Sequence, residues 1–467
     1  MKTKLFLLIM VSCICTTAIK AQDTMRSMPV ITNNSGKDSM NMDMNHMNHH
    51  QHDSMPGMNM NMEIPTSHSY SLNLPMSRNG SGTGWLPDAS PMYGYMIHSK
   101  KWMYMVHGNI AIRYDNQDIS NKGSRGGEVF DAPNWVMFMG QTKVGKNGLF
   151  HFSSMLSLDR ITEGGSGYPL LFQTGESWKN QPLVDRQHPH DLFSELSVAY
   201  SYSFSKKSDL SFYFGYPGEP ALGSVAFMHR PSTLENPDAP ISHHWNDGTH
   251  ITFGVATIGY RYDKFKIEAS SFTGREPDED RYNFDKPRFD SYSGRLSFTS
   301  RKNWALQVSQ GFIKSPEVLH PQENVSRTTA SAIFSYPLKN ENFFNATALW
   351  GLNKIKEHNG ENAALLEASL RLKKLALYTR YEWTQKSVEE LNLDENIYGK
   401  ETLFPVNAIT LGFNYDLLEV AHTRIALGSQ ASLFHTKEEL NSLYGKNPVA
   451  FEVFLRIYPG LMKPSLH

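Results

Sequence analysis

The stretch LSVAYSYSFSKKSDLSFYFGY, Leu196–Tyr216, decides the fold. Leu196, Val198, Tyr200, Tyr202 and Phe204 alternate with serine or alanine, and after Lys206-Lys207 the alternation resumes at Leu210, Phe212, Phe214 and Tyr216. Successive side chains of a strand point to opposite faces, so a period of two puts every large apolar group on one side. Two such runs joined by a short polar turn make an antiparallel hairpin.

The pattern extends in both directions. Trp102, Tyr104, Val106, Ile110, Ile112 and Tyr114 begin it, and Phe451, Val453, Leu455 and Ile457 end it. Strands are expected at 102–115, 132–144, 148–158, 190–204, 208–217, 250–262, 264–273, 290–299, 303–313, 325–337, 341–353, 362–372, 374–385, 406–416, 420–434 and 448–458. Short turns such as 145–147, 206–207, 263, 301–302, 339–340 and 373 alternate with long connections at 116–131, 159–189, 218–249, 274–289, 314–324, 354–361, 386–405 and 435–447. Alternating segments of about ten residues, with short turns at one end and long loops at the other, are the signature of a bacterial outer-membrane barrel. The expected fold is therefore all-β: a transmembrane, outer-membrane antiparallel β-barrel of about sixteen strands over residues 84–467. It would sit in the outer membrane of a Gram-negative cell, with long loops outside and both termini in the periplasm. A soluble sandwich explains neither the short/long alternation nor the aromatic strand ends. No apolar run reaches the roughly eighteen residues of a spanning helix.

The N-terminus supports export. MKTKLFLLIMVSCICTTAIKAQ has a basic start at Lys2 and Lys4, a short apolar run Leu5–Val11, and small residues at Ala18 and Ala21. Residues 1–21 read as a signal peptide. Cleavage after Ala21 removes Cys13 and Cys15, the only cysteines among the 467 residues. The alternative is acylation at Cys13. A net charge of −1 gives no reason to expect nucleic acid as a partner.

Residues 22–83 form the second expected unit, a disordered Met/His-rich periplasmic tail. Its centre, MNMDMNHMNHHQHDSMPGMNMNM, holds eight methionines (Met40, Met42, Met44, Met47, Met55, Met58, Met60 and Met62) and four histidines (His46, His49, His50 and His52). It has no Leu, Ile, Val or Phe with which to build a core. Neutral thioethers suit soft Cu(I), and by extension Ag(I); imidazoles suit Cu(II) and zinc. The bland alternative is a polar low-complexity linker.

The barrel pattern tests the metal idea independently. If Trp102, Tyr104 and Val106 face lipid, then Met103, Met105 and His107 face the lumen. By the same rule Met137 and Met139 point inward opposite Val136 and Phe138, and His151 and Met155 point inward opposite Phe150, Phe152 and Leu156. Either these groups offer successive soft-metal sites or they pack against an inward-folded plug. The inward faces of later strands, with Arg295, Gln307, Arg380, Glu382, Asn414 and Arg456, read as an ordinary hydrated wall.

A third concentration lies in the long connections. It comprises DRQHPHD with His188, His190 and Asp191; FMHRP with His229; and SHHWNDGTH with His243, His244, Asp247 and His250. Six histidines beside carboxylates at the outer mouth could hold Cu(II) or zinc, or hydrogen-bond the loops in place. These segments, with GWLPDASPM (84–92), MVHG (105–108), GEPALG (218–223) and GREPDE (274–279), resemble a family of bacterial exported β-barrel proteins found alongside copper and heavy-metal resistance functions. The resemblance covers about residues 84–310 well. A more distant, architectural likeness is to copper-resistance protein B, which also joins a Met/His-rich leader to an outer-membrane barrel.

The functional expectation is a non-enzymatic outer-membrane barrel for copper (or silver) binding, resistance or transport. Cu(I) is the favoured ion, zinc and silver the alternatives, and periplasmic copper-handling proteins the expected partners. A general solute porin with a separate metal-buffering tail is one alternative. A surface metal-dependent enzyme built on the loop histidines is another, although no nucleophile context accompanies them.

Overall fold

The computed structural model of the chain describes residues 70–120, 122–247, 251–300 and 302–462. The leader, the Met40–Met62 stretch and His250 lie outside the described residues. The strands are β1 (Tyr95–His98), β2 (Trp102–Asn116), β3 (Glu128–Asp131), β4 (Asn134–Val144), β5 (Gly148–Leu156), β6 (Tyr168–Trp178), β7 (Gln181–Gln187), β8 (Phe193–Ser205), β9 (Ser208–Gly215) and β10 (Val255–Tyr262). They continue as β11 (Phe265–Phe272), β12 (Ser291–Ser300), β13 (Trp304–Lys314), β14 (Asn324–Pro337), β15 (Phe343–Ile355), β16 (Glu361–Leu372), β17 (Leu375–Ser387), β18 (Leu403–Val420), β19 (Thr423–His435) and β20 (Val449–Pro459).

These strands close a 16-strand antiparallel barrel. β20 returns to β2, with Ile457 opposite Ile110 and Phe451 opposite Asn116. Closure leaves no unpaired sheet edge, which is what a backbone in hydrocarbon requires. β3 and β4 share one barrel position. The strand is interrupted at Ala132-Pro133, and proline cannot donate to the ladder. The short turns use left-handed residues where the chain must reverse tightly, as at Asp263 (φ 53°) and Lys373 (φ 56°).

The opening hairpin behaves as its alternation demands. Val198, Tyr200, Tyr202, Phe212 and Phe214 are exposed on the outer surface, while Ala199, Ser201 and Tyr213 between them are buried. Ile258, Tyr260, Ile267, Leu296, Val308, Leu411 and Leu427 continue the exposed apolar belt around the barrel. A continuous apolar surface of this size belongs in lipid. Among the described residues no helix is long and apolar enough to cross a membrane, so the strands do the crossing.

The interior departs from a hydrated wall. Two segments fill it. The first is the stretch from Tyr70 to Gly94. Its 70–83 part, expected in the tail, is packed against strand ends beside the short turns. Ser71 Oγ donates to Asp209 Oδ2 (2.8 Å), Arg295 Nη2 donates to Thr83 Oγ1 (2.8 Å), and Ala89 N donates to Lys302 O (2.8 Å). The second is 218–247, expected as an outer loop. It turns into the barrel because its apolar side chains pack on the wall, Leu222 with Tyr213 and Phe272 and Val225 with Ala305 and Ile333, and its charges match the wall. Glu235 meets Arg371 (2.8 Å) and Arg456 (2.7 Å). Asp238 meets Arg113 (2.6 Å), and Arg230 meets Glu367 (2.7 Å). The wall residues expected to face water are therefore largely the plug's partners. Arg380 Nη1 donates to the Asp238 carbonyl (3.0 Å), Asn414 Nδ2 to the Glu235 carbonyl (2.7 Å), and Ser242 Oγ to Glu382 (2.8 Å). Gln307 instead bonds within the wall, to Thr329 (3.0 Å).

At the long-loop end, β6 and β7 form a separate two-stranded hairpin inside what sequence reading leaves as a structureless loop. Leu170, Leu171 and Phe172 bury against Val388, Leu391, Phe404 and Tyr444.

Candidate metal centres

The wall of β2, β4 and β5 brings the expected inward residues into register. Met105 pairs opposite Met139, His107 opposite Met137, Met137 opposite Met155, and Gln141 opposite both Met103 and His151. Because the side-chain period is two, these alternate positions share the inner face. Met103, Met105, Met137, Met139 and Met155 are all buried. They form one cluster with Met76, and Met92, Met96, Met228 and Met462 pack against it. The lumen thus closes a thioether chamber from both sides: five methionines from the wall, others from the internal segments and β1.

A cavity of about 140 Å³ opens among these groups, lined by Met76, Met92, Met105, Met137, Met139, Met228, His107 and His229. His229 joins His107 here, with ring centroids 5.7 Å apart and Trp135 against both. It is thus not part of a loop-end cluster. The Nε2 of His107 is buried and makes no hydrogen bond among the described residues. The same holds for both ring nitrogens of His151, whose ring packs edge-on against Tyr70 at 4.6 Å. Buried polar atoms without partners are uncommon and call for an explanation.

The second gathering lies toward the long loops. His188, at the end of the β6–β7 hairpin, and His243 and His244, in a helical turn of the plug (His243–Asn246), present ring nitrogens within 4.8 Å of one another. His188 Nδ1 lies 3.2 Å from Glu176 Oε1, and His244 Nδ1 lies 3.5 Å from Glu276 Oε1. His243 Nδ1 lies 3.0 Å from both the Pro240 carbonyl oxygen and the Gln173 side-chain amide. Arg281 pairs with Glu176 and with Asp191 (3.3 Å). Burial pushes the Glu176 carboxyl up to about 7 despite Arg281, and pushes Asp191 up to about 6.

Of the other loop candidates, His190 stays beside this group, its ring centroid 5.9 Å from that of His188. His190 Nδ1 engages Asp159 Oδ2 at 2.6 Å and borders the methionine cavity. Asp191 pairs with Arg281, and Asp247 with Arg230 (2.6 Å). Sequence reading did not assign Met76, Met92 and Met228 to the chamber, nor Glu176 and Glu276 to the histidines. Met92 and Met228 stood in motifs already singled out, but nothing in periodicity shows that these segments fold inward.

No protein-family model matches the chain, and no curated protein matches it. Solved structures with a similar trace include OmpF of Salmonella typhi in complex with daunomycin: TM-score 0.48, 10% identity, 78% of this chain and 100% of that one. Two others are OprB of Pseudomonas putida at high pH (0.45, 8%, 76% and 94%) and an anion-selective porin from Comamonas acidovorans (0.43, 11%, 77% and 99%). Identities this low carry no functional information.

Proposed function

We propose that this protein is an outer-membrane barrel that binds soft monovalent cations, Cu(I) foremost and Ag(I) by the same chemistry, at the methionine chamber inside its wall. The observation that carries the reading is the convergence of Met105, Met137 and Met139 from the wall with Met76, Met92 and Met228 from the internal segments around one cavity, beside the unbonded Nε2 of His107. Leucine or phenylalanine would fill such a space with better-defined rotamers. Thioether sulfur adds affinity for Cu(I) and Ag(I) without a proton to release. The exposed apolar belt supports the membrane setting. In sequence, the Met40–Met62 stretch runs into the segment that carries Met76 and Met92, and we assign it the role of collecting ions for the chamber. Several adjacent thioethers, each weak, suit an ion that must also leave.

A general solute porin would need a wide aqueous lumen. Here residues 70–94 and 218–247 occupy the interior.

The test is the number of Ag(I) ions bound per chain in detergent. Full-length protein is compared with a Met103→Leu/Met105→Leu/Met137→Leu variant and with a deletion of 40–62. The reading expects the triple variant to lose ions that the deletion keeps. Equal silver on the triple variant and the wild type would defeat it.

A further inference from the structure

We infer that His188, His243 and His244 form a site for a borderline divalent cation of the Zn(II) or Cu(II) class. It is built from none of the residues that line the methionine chamber. Three ring nitrogens within 4.8 Å of one another, from two separate inward-folded segments, are a tri-imidazole ligand set. Three protein ligands with a remaining open position are a recurrent zinc arrangement.

The surroundings orient the rings for that role. Two of the Nδ1 atoms face a carboxylate, Glu176 for His188 and Glu276 for His244, and that of His243 lies between the Pro240 carbonyl and the Gln173 side-chain amide. An Nδ1–H held by an acceptor puts the lone pair on Nε2, the tautomer that ligates metal. The His244 Nε2 is buried and makes no hydrogen bond among the described residues. Gly175, at φ +108°, passes so close that a Cβ there would lie 2.8 Å from the His244 ring. Backbone is thus pressed against the imidazole and fixes its position.

The approach is acidic. A cavity of about 60 Å³ adjoins His244, and six glutamates, Glu276, Glu317 and Glu361 among them, line it against Arg327 and Lys400. Crowded carboxyl groups leading to imidazoles are a donor set that suits a divalent cation. Softness separates the two centres: thioethers select Cu(I) and Ag(I), imidazoles with outer carboxylates select Zn(II) and Cu(II).

The experiment uses metal-stripped, full-length protein equilibrated with Zn(II) and freed of excess, with zinc counted per chain. The His188→Ala/His244→Ala variant is expected to hold one equivalent less than the wild type. The Met103→Leu/Met105→Leu/Met137→Leu variant is expected to hold the full amount, so failure here is distinct from failure of the silver test. Equal zinc on the wild type and the double histidine variant overturns the site. Should that variant not fold, His244→Gln takes its place. It keeps a polar group beside Glu276, and wild-type zinc on it overturns the site equally.

Discussion

The wall built by β2, β4 and β5 and the wall built by β15 to β20 enclose the same interior by unlike chemistry. On the β15–β20 side, Arg371 and Arg456 hold Glu235 and Glu367 holds Arg230, while Gln430 donates to Asp238 at 2.7 Å. On the β2–β5 side, the chain meets methionines. The ionic side suffices to fix the plug, because each buried charge has a directed partner and breaking one pair strands the other. The thioether side supplies little direction, since methionine is flexible and adapts to irregular gaps. A wall that needed only to be filled would do as well with leucine. The contrast fits the proposed function, in which the ionic wall holds the fold and the methionine wall contributes its sulfur.

Four outcomes would sharpen or break that contrast. The largest concerns Arg113, at the far end of β2 where that strand pairs with β20 and joins the ionic wall; it is fully buried and shared by Asp131, Asp238 and Glu452. Arg113→Ala leaves these carboxylates without their cation and is expected to cost about 3–5 kcal/mol in denaturant unfolding in micelles. A loss below about 1 kcal/mol would show that the ionic wall is not the clamp. Next is Gly175→Ala, which forces a side chain into left-handed backbone against the His244 ring. It should cost about 1–3 kcal/mol and weaken zinc binding, while silver binding holds. Third is the Met103→Leu/Met105→Leu/Met137→Leu variant. Each near-isosteric swap should cost under about 1.5 kcal/mol, yet silver binding should drop. A collapse in stability with silver binding intact would make the methionines mere packing. The smallest effect is a null one. Imidazoles must shed a proton to bind metal and thioethers need not, so lowering pH from about 7 to about 5 should weaken zinc binding and leave chamber silver nearly unchanged. Competition titrations at the two pH values read both.

The barrel was legible because its signal is local. In Leu196–Tyr216 each side chain reports its own face, and the short turns at Lys206-Lys207, Asp263 and Lys373 are expressed in a residue or two. The inward placement of Met103, Met105, Met137, Met139 and Met155 followed from the same alternation. The plug was not legible, because the pairing of Asp238 with Arg113 or Glu235 with Arg456 joins residues remote in sequence, and periodicity carries no such information. For the same reason Arg380 and Asn414 looked like hydrated wall residues rather than plug contacts. The loop histidines, grouped by sequence, do not gather at one place in the fold. His229 follows Met228 into the chamber, while His188 reaches His243 and His244 only through the inward turn of two loops.

The most direct measurement is anomalous scattering at the silver absorption edge from a silver-soaked crystal of the full-length protein. The account predicts a peak inside the barrel, among the sulfur atoms of Met105, Met137 and Met139 and near His107. A chamber without silver, in crystals whose protein binds the ion elsewhere, would contradict it.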